Sequence, residues 1–352
     1  LLMDANRTKI ITCLATREGS VCTIPPGVTS IGDYAFFGCS NLASVTIPEG
    51  VTSIGKNAFL NCGALLTSVK IPESVRSIGD GALAGCISLK AENIAVGSGF
   101  VIEDGLLMDA NRTKIITCLM TRAGSDCTIP QGVTSIGDGA FLGCSNLASV
   151  TIPEGVTSIG NAAFQHCDNL AAVRIPESVT SIGGGALSGC FSLQAENIAV
   201  GSRFVIEDGV LMDAQRTTVI ACLATRPGSD YQVPPGVTSI RNDAFSCCSS
   251  LTAITIPESV TSIGNSAFWG CSSLTAITIP ESVTSIGGRT FEFCSTLTAV
   301  TIPENVTSIG DYAFWGCSAL TAVTLPEGVT NMGDWVFYQC PDDLVVRCQE
   351  GS

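Results

Sequence analysis

Eighteen cysteines and a single histidine are the residues of this chain with the widest chemical reach. Eleven of the cysteines recur at one position of a repeated phrase: Cys39, Cys62, Cys86, Cys144, Cys167, Cys190, Cys248, Cys271, Cys294, Cys317 and Cys340. Each follows by three residues a Phe, or Leu83 and Leu187 in that slot. Cys13, Cys118 and Cys222 belong to a second phrase, and Cys22, Cys127, Cys247 and Cys348 complete the set. Thiols in such numbers could form disulfides or hold a soft metal. Zinc lacks its usual spacing, because no C-x-x-C pair occurs and His166 alone cannot complete a site. Disulfides along the column meet a geometric objection. Stacked coils repeat at about 4.8 Å, beyond the roughly 3.8 Å between Cβ atoms that a disulfide wants. Cys22 and Cys127 also correspond to Tyr231, so a pairing of Cys13 with Cys22 would leave Cys222 alone. The cysteines read as a column of buried free thiols that pack as small hydrophobes.

The other reactive groups are sparse. His166, in A-F-Q-H-C, has no nucleophile and orienting acid beside it and reads as an exposed repeat residue. No G-x-S-x-G, H-E-x-x-H or phosphate-binding loop is present, and Gly183-Gly184-Gly185 reads as a turn. The sequence therefore predicts no catalytic set, no cofactor and no enzyme. A glutamate column, Glu49, Glu73, Glu154, Glu177, Glu258, Glu281, Glu304 and Glu327, follows the prolines. Carboxylates stacked about 5 Å apart repel, and calcium could bridge them weakly. A solvated rim is the preferred reading, since no D-x-D-x-D-G loop occurs.

These residues sit in a repeat. Ile-Pro stands at Ile24, Ile47, Ile71, Ile129, Ile152, Ile175, Ile256, Ile279 and Ile302, most often 23 residues apart. V-T-S-I-G or a variant begins at eleven places from Val28 to Val329. In L-T-A-I-T-I-P, apolar and small polar residues alternate, which predicts a strand with one buried face. V-T-S-I-G predicts a second short extended segment, and A-F-x-x-C-x-x-L a single helical turn. One such coil cannot bury its apolar face, whereas stacked copies can. Met3, Met108 and Met212 mark a longer period of three blocks, residues 1–99, 100–203 and 204–352, with three, three and five units. Phe100–Asp109 and Phe204–Asp213 put Asp-Gly between two alternating runs, the signal of a two-residue β-hairpin. The predicted fold is α/β: one continuous right-handed solenoid over 1–352, with a parallel sheet, short helical turns and β-hairpin insertions. Leu1 is not Met, and the first block lacks the arm that Phe100–Gly105 supplies to the second, so upstream sequence is expected to be missing.

The unit I-P-x-x-V-T-S-I-G-x-x-A-F-x-x-C-x-x-L-x-x-V resembles the BspA-like leucine-rich repeats, and the hairpin segments are similar to inserts of that family. The resemblance covers nearly the whole chain. It implies a secreted or surface protein of the kind found in host-associated anaerobic bacteria and some parasitic protists. It also implies attachment to host matrix proteins, host cells or other microbes, with no shared catalytic residues to carry over.

Composition narrows the partners. The chain has 352 residues, 17 Lys and Arg against 31 Asp and Glu, and a net charge of −14, which repels nucleic-acid phosphates. A hydrophobic share of 45% supports a large core rather than disorder. No apolar run is long enough for a membrane helix, so no membrane insertion is expected. Two surfaces remain for a protein or glycan on host or microbial cells. One is the outward row of the main sheet, including Thr255, Thr278, Thr301 and Thr324. The other is a file of large aromatics beside the A-F-x-x-C turns on the convex side. Trp269, Phe293, Trp315 and Tyr338 read there as one shared repeat slot. The expected function is non-enzymatic recognition, with a structural spacer that projects other domains from a cell surface as the alternative.

Overall fold

The computed structural model describes every residue except 14–19, 64, 92–93, 96, 98, 120–121, 123 and 349–352. The chain forms two compact units, Leu1–Ala186 and Leu187–Ser352. Each is a stack of β coils, and each coil lends two short strands to parallel ladders.

In the first unit, Ser30–Ile31, Ser53–Ile54 and Ser77–Ile78 pair in parallel, as do Val21–Thr23, Ser44–Thr46 and Ser68–Lys70. The second block repeats this, with Ser135–Ile136, Ser158–Ile159 and Ser181–Ile182 in one ladder and Asp126–Thr128, Ser149–Thr151 and Ala172–Arg174 in the other. In the second unit the outer ladder runs through Asp230–Gln232, Ala253–Thr255, Ala276–Thr278, Ala299–Thr301, Ala322–Leu325 and Val345–Cys348. Register is like on like, Thr255 beside Thr278 and Thr301 beside Thr324. The middle residue of each outer strand is buried and its neighbours face outward, as alternation predicts.

The hairpins form where Asp-Gly predicts them. Phe100–Glu103 pairs antiparallel with Leu106–Asp109, and Phe204–Glu207 with Val210–Asp213. Asp104 and Gly105 have φ of +50° and +75°, which the two-residue turn requires. A third strand, Lys114–Cys118, then pairs in parallel with Ser135–Ile136, and Thr218–Cys222 with Ser239–Ile240. The insertion thus supplies the first rung of the next ladder.

The core follows the repeat. Phe36 and Phe59 stack with ring centroids 4.8 Å apart, and Phe245, Phe268, Phe291 and Phe314 continue at 5.2–5.4 Å. Beside this column the thiols form a ladder. Cys62 Sγ donates to the Phe36 carbonyl at 3.0 Å, Cys271 to Phe245 and Cys317 to Phe291 at 3.1 Å. The Phe245 carbonyl also accepts the Cys248 amide at 3.1 Å, so both of its lone pairs are engaged. At each block start the thiol turns to the hairpin cysteine, as Cys39 does to the Cys13 carbonyl at 3.7 Å. No disulfide joins any of the 18 cysteines, all of them among the described residues, and 16 are buried.

The helical turns are not there. Over A-F-x-x-C the amides alternate between two uses. The Phe37 amide donates to the Tyr34 carbonyl at 3.0 Å, closing a tight turn, while the Phe36 amide donates to Ala58 of the next coil at 2.7 Å. Positive φ at Tyr34 and Gly38 breaks each right-handed pair before an i to i+4 bond can form. Stacking therefore takes the donors that a helix would use. Helical structure among the described residues is confined to 3-10 conformation, at Ala91 and in the turn Ala195–Asn197. The architecture is a parallel β solenoid rather than an α/β one. No helix among the described residues is long and apolar enough to cross a membrane.

The glycine of V-T-S-I-G has a stacking reason. A Cβ on Gly55 would lie 2.6 Å from the Gly32 carbonyl carbon, and one on Gly160 2.4 Å from the Asp138 amide nitrogen. Any side chain there would push the coils apart. The residue that follows, Asp33, Asp138, Asn242, Asn265 or Asp311, accepts the next coil's amide through its side chain at 2.8–2.9 Å.

Candidate recognition surface

The aromatic file lies entirely in the second unit. Phe293 sits 6.0 Å from both Trp269 and Trp315, and Trp315 lies 5.6 Å from Tyr338. Tyr312 and Trp335 flank it, 5.0 Å from Trp315 and 4.9 Å from Tyr338. Phe293, Trp335 and Tyr338 are 40%, 58% and 47% exposed, enough to present ring faces to a partner. The rings stand outside because each lies within two residues of a Phe of the inward column.

One detail of the file corrects the sequence reading. Phe293 does not share the slot of Trp269, Trp315 and Tyr338. In Phe291-Glu292-Phe293-Cys294 that slot holds Glu292, and Phe293 stands where Gly270 and Gly316 stand. Its φ of +61° is the left-handed conformation which that position demands of every residue. The ring still joins the file because Gly316 leaves room for it. A Cβ there would fall 2.6 Å from Phe293 Cδ1. Glu292, only 2% exposed, is pushed up in pKa by burial, against Arg289, whose guanidinium lies 3.3 Å away, and a bond with Trp269. Trp315 Nε1 is buried without an acceptor.

The structure places the other candidates separately. Thr255, Thr278 and Thr301 are exposed and Thr324 half-buried, forming a row on the outer ladder. The glutamates of the column are exposed, and some reach back to the stack. Glu281 Oε2 accepts the Glu304 amide at 3.1 Å, and Glu49 Oε2 the Ser74 amide at 3.3 Å. His166, expected on the surface, is half-buried at φ +56°, and burial lowers its pKa. Burial likewise pushes the thiols up, Cys39 and Cys127 to about 12, which leaves them poor nucleophiles. Asp243 is the outlier among carboxyls, raised by desolvation to about 7 against a bond with Ser266.

A shallow trough of about 670 Å³ adjoins the file at Tyr312. Sequence reasoning missed it. Its mark in the second unit is Gly288, a residue without a side chain in a column that Asn242, Asn265, Asp311 and Asp334 otherwise fill.

The comparisons agree with this architecture. The model for a BspA type leucine-rich repeat region matches residues 15–115, 117–212 and 225–342. A leucine-rich cell surface protein from Faecalibacterium prausnitzii A2-165 is 31% identical, with a TM-score of 0.60, over 100% of this chain and 93% of its own. A leucine-rich repeat protein from Eubacterium ventriosum is 23% identical, with a TM-score of 0.48, over 95% of this chain and 93% of its own. One from Bacteroides ovatus is 25% identical, with a TM-score of 0.40, over 94% and 92%. No curated protein matches the sequence. With most of its length matched by the family model, the chain belongs to the BspA type leucine-rich repeat family.

Proposed function

We propose that this chain is a non-enzymatic recognition protein, secreted or held at a bacterial cell surface, that adheres to proteins of host matrix, host cells or other microbes. The aromatic file carries the reading. Trp, Tyr and Arg dominate the energetics of protein interfaces, and here Trp269, Trp315, Trp335, Tyr312, Tyr338 and Arg289 lie on neighbouring coils with Phe293 among them. The threonine row supplies small polar rim contacts, and the exposed glutamates a place for weak calcium. The surface location rests on family membership and on the Faecalibacterium cell surface relative.

Binding of the chain to immobilised matrix proteins and to bacterial cells, with and without calcium, tests the reading. Phe293→Ala and Tyr338→Ala are expected to weaken a hit at least tenfold, about 1.4 kcal/mol or more each. Unchanged affinity in both variants would remove the file from the contact. A blank on folded protein across the whole panel would remove the adhesive reading.

A further inference from the structure

We propose that the trough beside the file is a binding site for a neutral saccharide. The proposal rests on the recognition reading above and gives it a second, chemically distinct subsite. The trough has a structural cause. Along the inner ladder of the second unit the strands pair from Ser239–Ile240 to Ser262–Ile263, and a separate three-stranded sheet runs from Ser285–Ile286 to Asn331–Met332. The ladder is interrupted between the two sheets, and the trough opens along the far side of that break. The column of Asp and Asn side chains that bridges the coils is interrupted at the same level. Asn265 Oδ1 accepts the Gly288 amide at 2.9 Å, but Gly288 offers nothing to the coil above, where Asp311 stands. The missing side chain leaves a notch between Asn265 and Asp311.

What surrounds the notch selects the ligand. Its walls carry the Asp311 carboxylate, the amides of Asn265 and Asn331, the hydroxyls of Ser285 and Ser308 and the Arg289 guanidinium. The set combines donors and acceptors, which suits vicinal hydroxyls that must both give and take hydrogen bonds. Charge excludes the simpler ligands. Arg289 is already committed to Glu292 at 3.3 Å and lies 4.8 Å from the centre of the Tyr312 ring, so it is a poor anion receptor, and Asp311 repels anions. A single exposed carboxylate beside a guanidinium is an equally poor cation site. Successive coils present polar groups about 4.8 Å apart, close to the length of one sugar ring, so a linear oligosaccharide can lie along several of them. The stacked Arg289 and Tyr312 both line it, and Tyr312 lies against Trp315 of the file.

The test is calorimetric titration of the full chain with neutral hexasaccharides of glucose, mannose and xylose, and with a sulfated oligosaccharide as the charged comparison. The expected result is saturable binding of a neutral hexasaccharide and none of the sulfated one. Gly288→Asn is the decisive variant. It restores the side chain found at Asn265, its amide oxygen can take the Asp311 N–H, and Gly288 is not in the left-handed region. The new Cβ would lie 3.3 Å from the Asp311 carbonyl oxygen, a contact relieved by a small shift, so the variant should fold with a melting temperature close to the parent's and weaken saccharide binding at least tenfold. Asn331→Ala, a change at an exposed lining residue, should weaken it severalfold. No binding of any neutral hexasaccharide, or binding untouched by both variants, would overturn the proposal. Loss of protein-partner binding in Phe293→Ala with saccharide binding intact would separate this site from the file. Saccharide failure with protein binding preserved would sink this inference alone.

Discussion

At the scale of single residues, the thiols and one carboxyl have definite jobs that composition alone would not assign. A small hydrophobe would fill the column as well as Cys, but only a donor satisfies the second lone pair of the stacked Phe carbonyl. Cys271→Ala should therefore cost about 2 kcal/mol, from a small void and a lost bond. Cys271→Ser, which keeps a donor toward Phe245 at a distance now 3.1 Å, should cost less. Thermal melts of the two variants decide it, and a serine variant weaker than the alanine one would make the thiol a mere space-filler. Asp243 makes a pH prediction. Its folded pKa of about 7 lies above the usual 3.8, so the folded state prefers the protonated acid. That contribution to stability is full below the unfolded pKa and is lost as pH rises toward 7. The displacement corresponds to roughly 4 kcal/mol, reduced to about 2–3 by solvent at this half-buried site. Asp243→Asn should be more stable than the parent at pH 8 by that amount, and the difference should vanish near pH 4. His166, whose depressed pKa acts in the opposite direction below its ordinary range, is common to both proteins and drops out of the comparison.

At the scale of the coil, stability is shared between neighbours. Coils donate turn amides to the next, and Phe268, Phe291 and Phe314 each stack between two other Phe rings, so damage spreads along the axis and not across it. Phe268, fully buried between Phe245 and Phe291, is the clearest test. Phe268→Ala should cost about 3–5 kcal/mol. Hydrogen exchange should show the loss of protection centred on residues 245–291, with the hairpin at Phe204–Asp213 protected much as before. An unchanged melting curve would contradict the stacked column. The left-handed slots act at the same scale. Tyr34, His166, Phe293 and Tyr312 accept an unfavourable φ because inter-coil bonds hold them, such as the Phe293 amide to the Trp315 carbonyl at 2.7 Å.

At the scale of the molecule, the solenoid turns a short repeat into long rows in which one residue type recurs on one face. A net charge of −14 would steer and screen any charged contact. The aromatic file is apolar, so the partner affinity lost in Phe293→Ala and Tyr338→Ala should be nearly independent of salt. A steep salt dependence would move the contact to the glutamate column. The rows also explain where recognition can vary. A single repeat that departs from its neighbours, as Gly287-Gly288-Arg289 does, coincides with a break in the inner ladder and opens a trough there.

The sequence by itself determined the repeat, its register, the inward Phe and Cys columns and the hairpins, because each depends on periodicity or on an Asp-Gly turn read over a few residues. The aromatic cluster was legible for the same reason, although Phe293 was assigned to the wrong slot. Only the tertiary structure decided what the A-F-x-x-C segment becomes. Three-and-four spacing suits a helical turn equally well, and the competing use of its amides lies in a coil 23 residues away. The half-burial of His166 and the raised pKa of Asp243 were beyond reach for the same physical reason. Each is set by what stacks above and below a residue, and no local pattern in the chain records that.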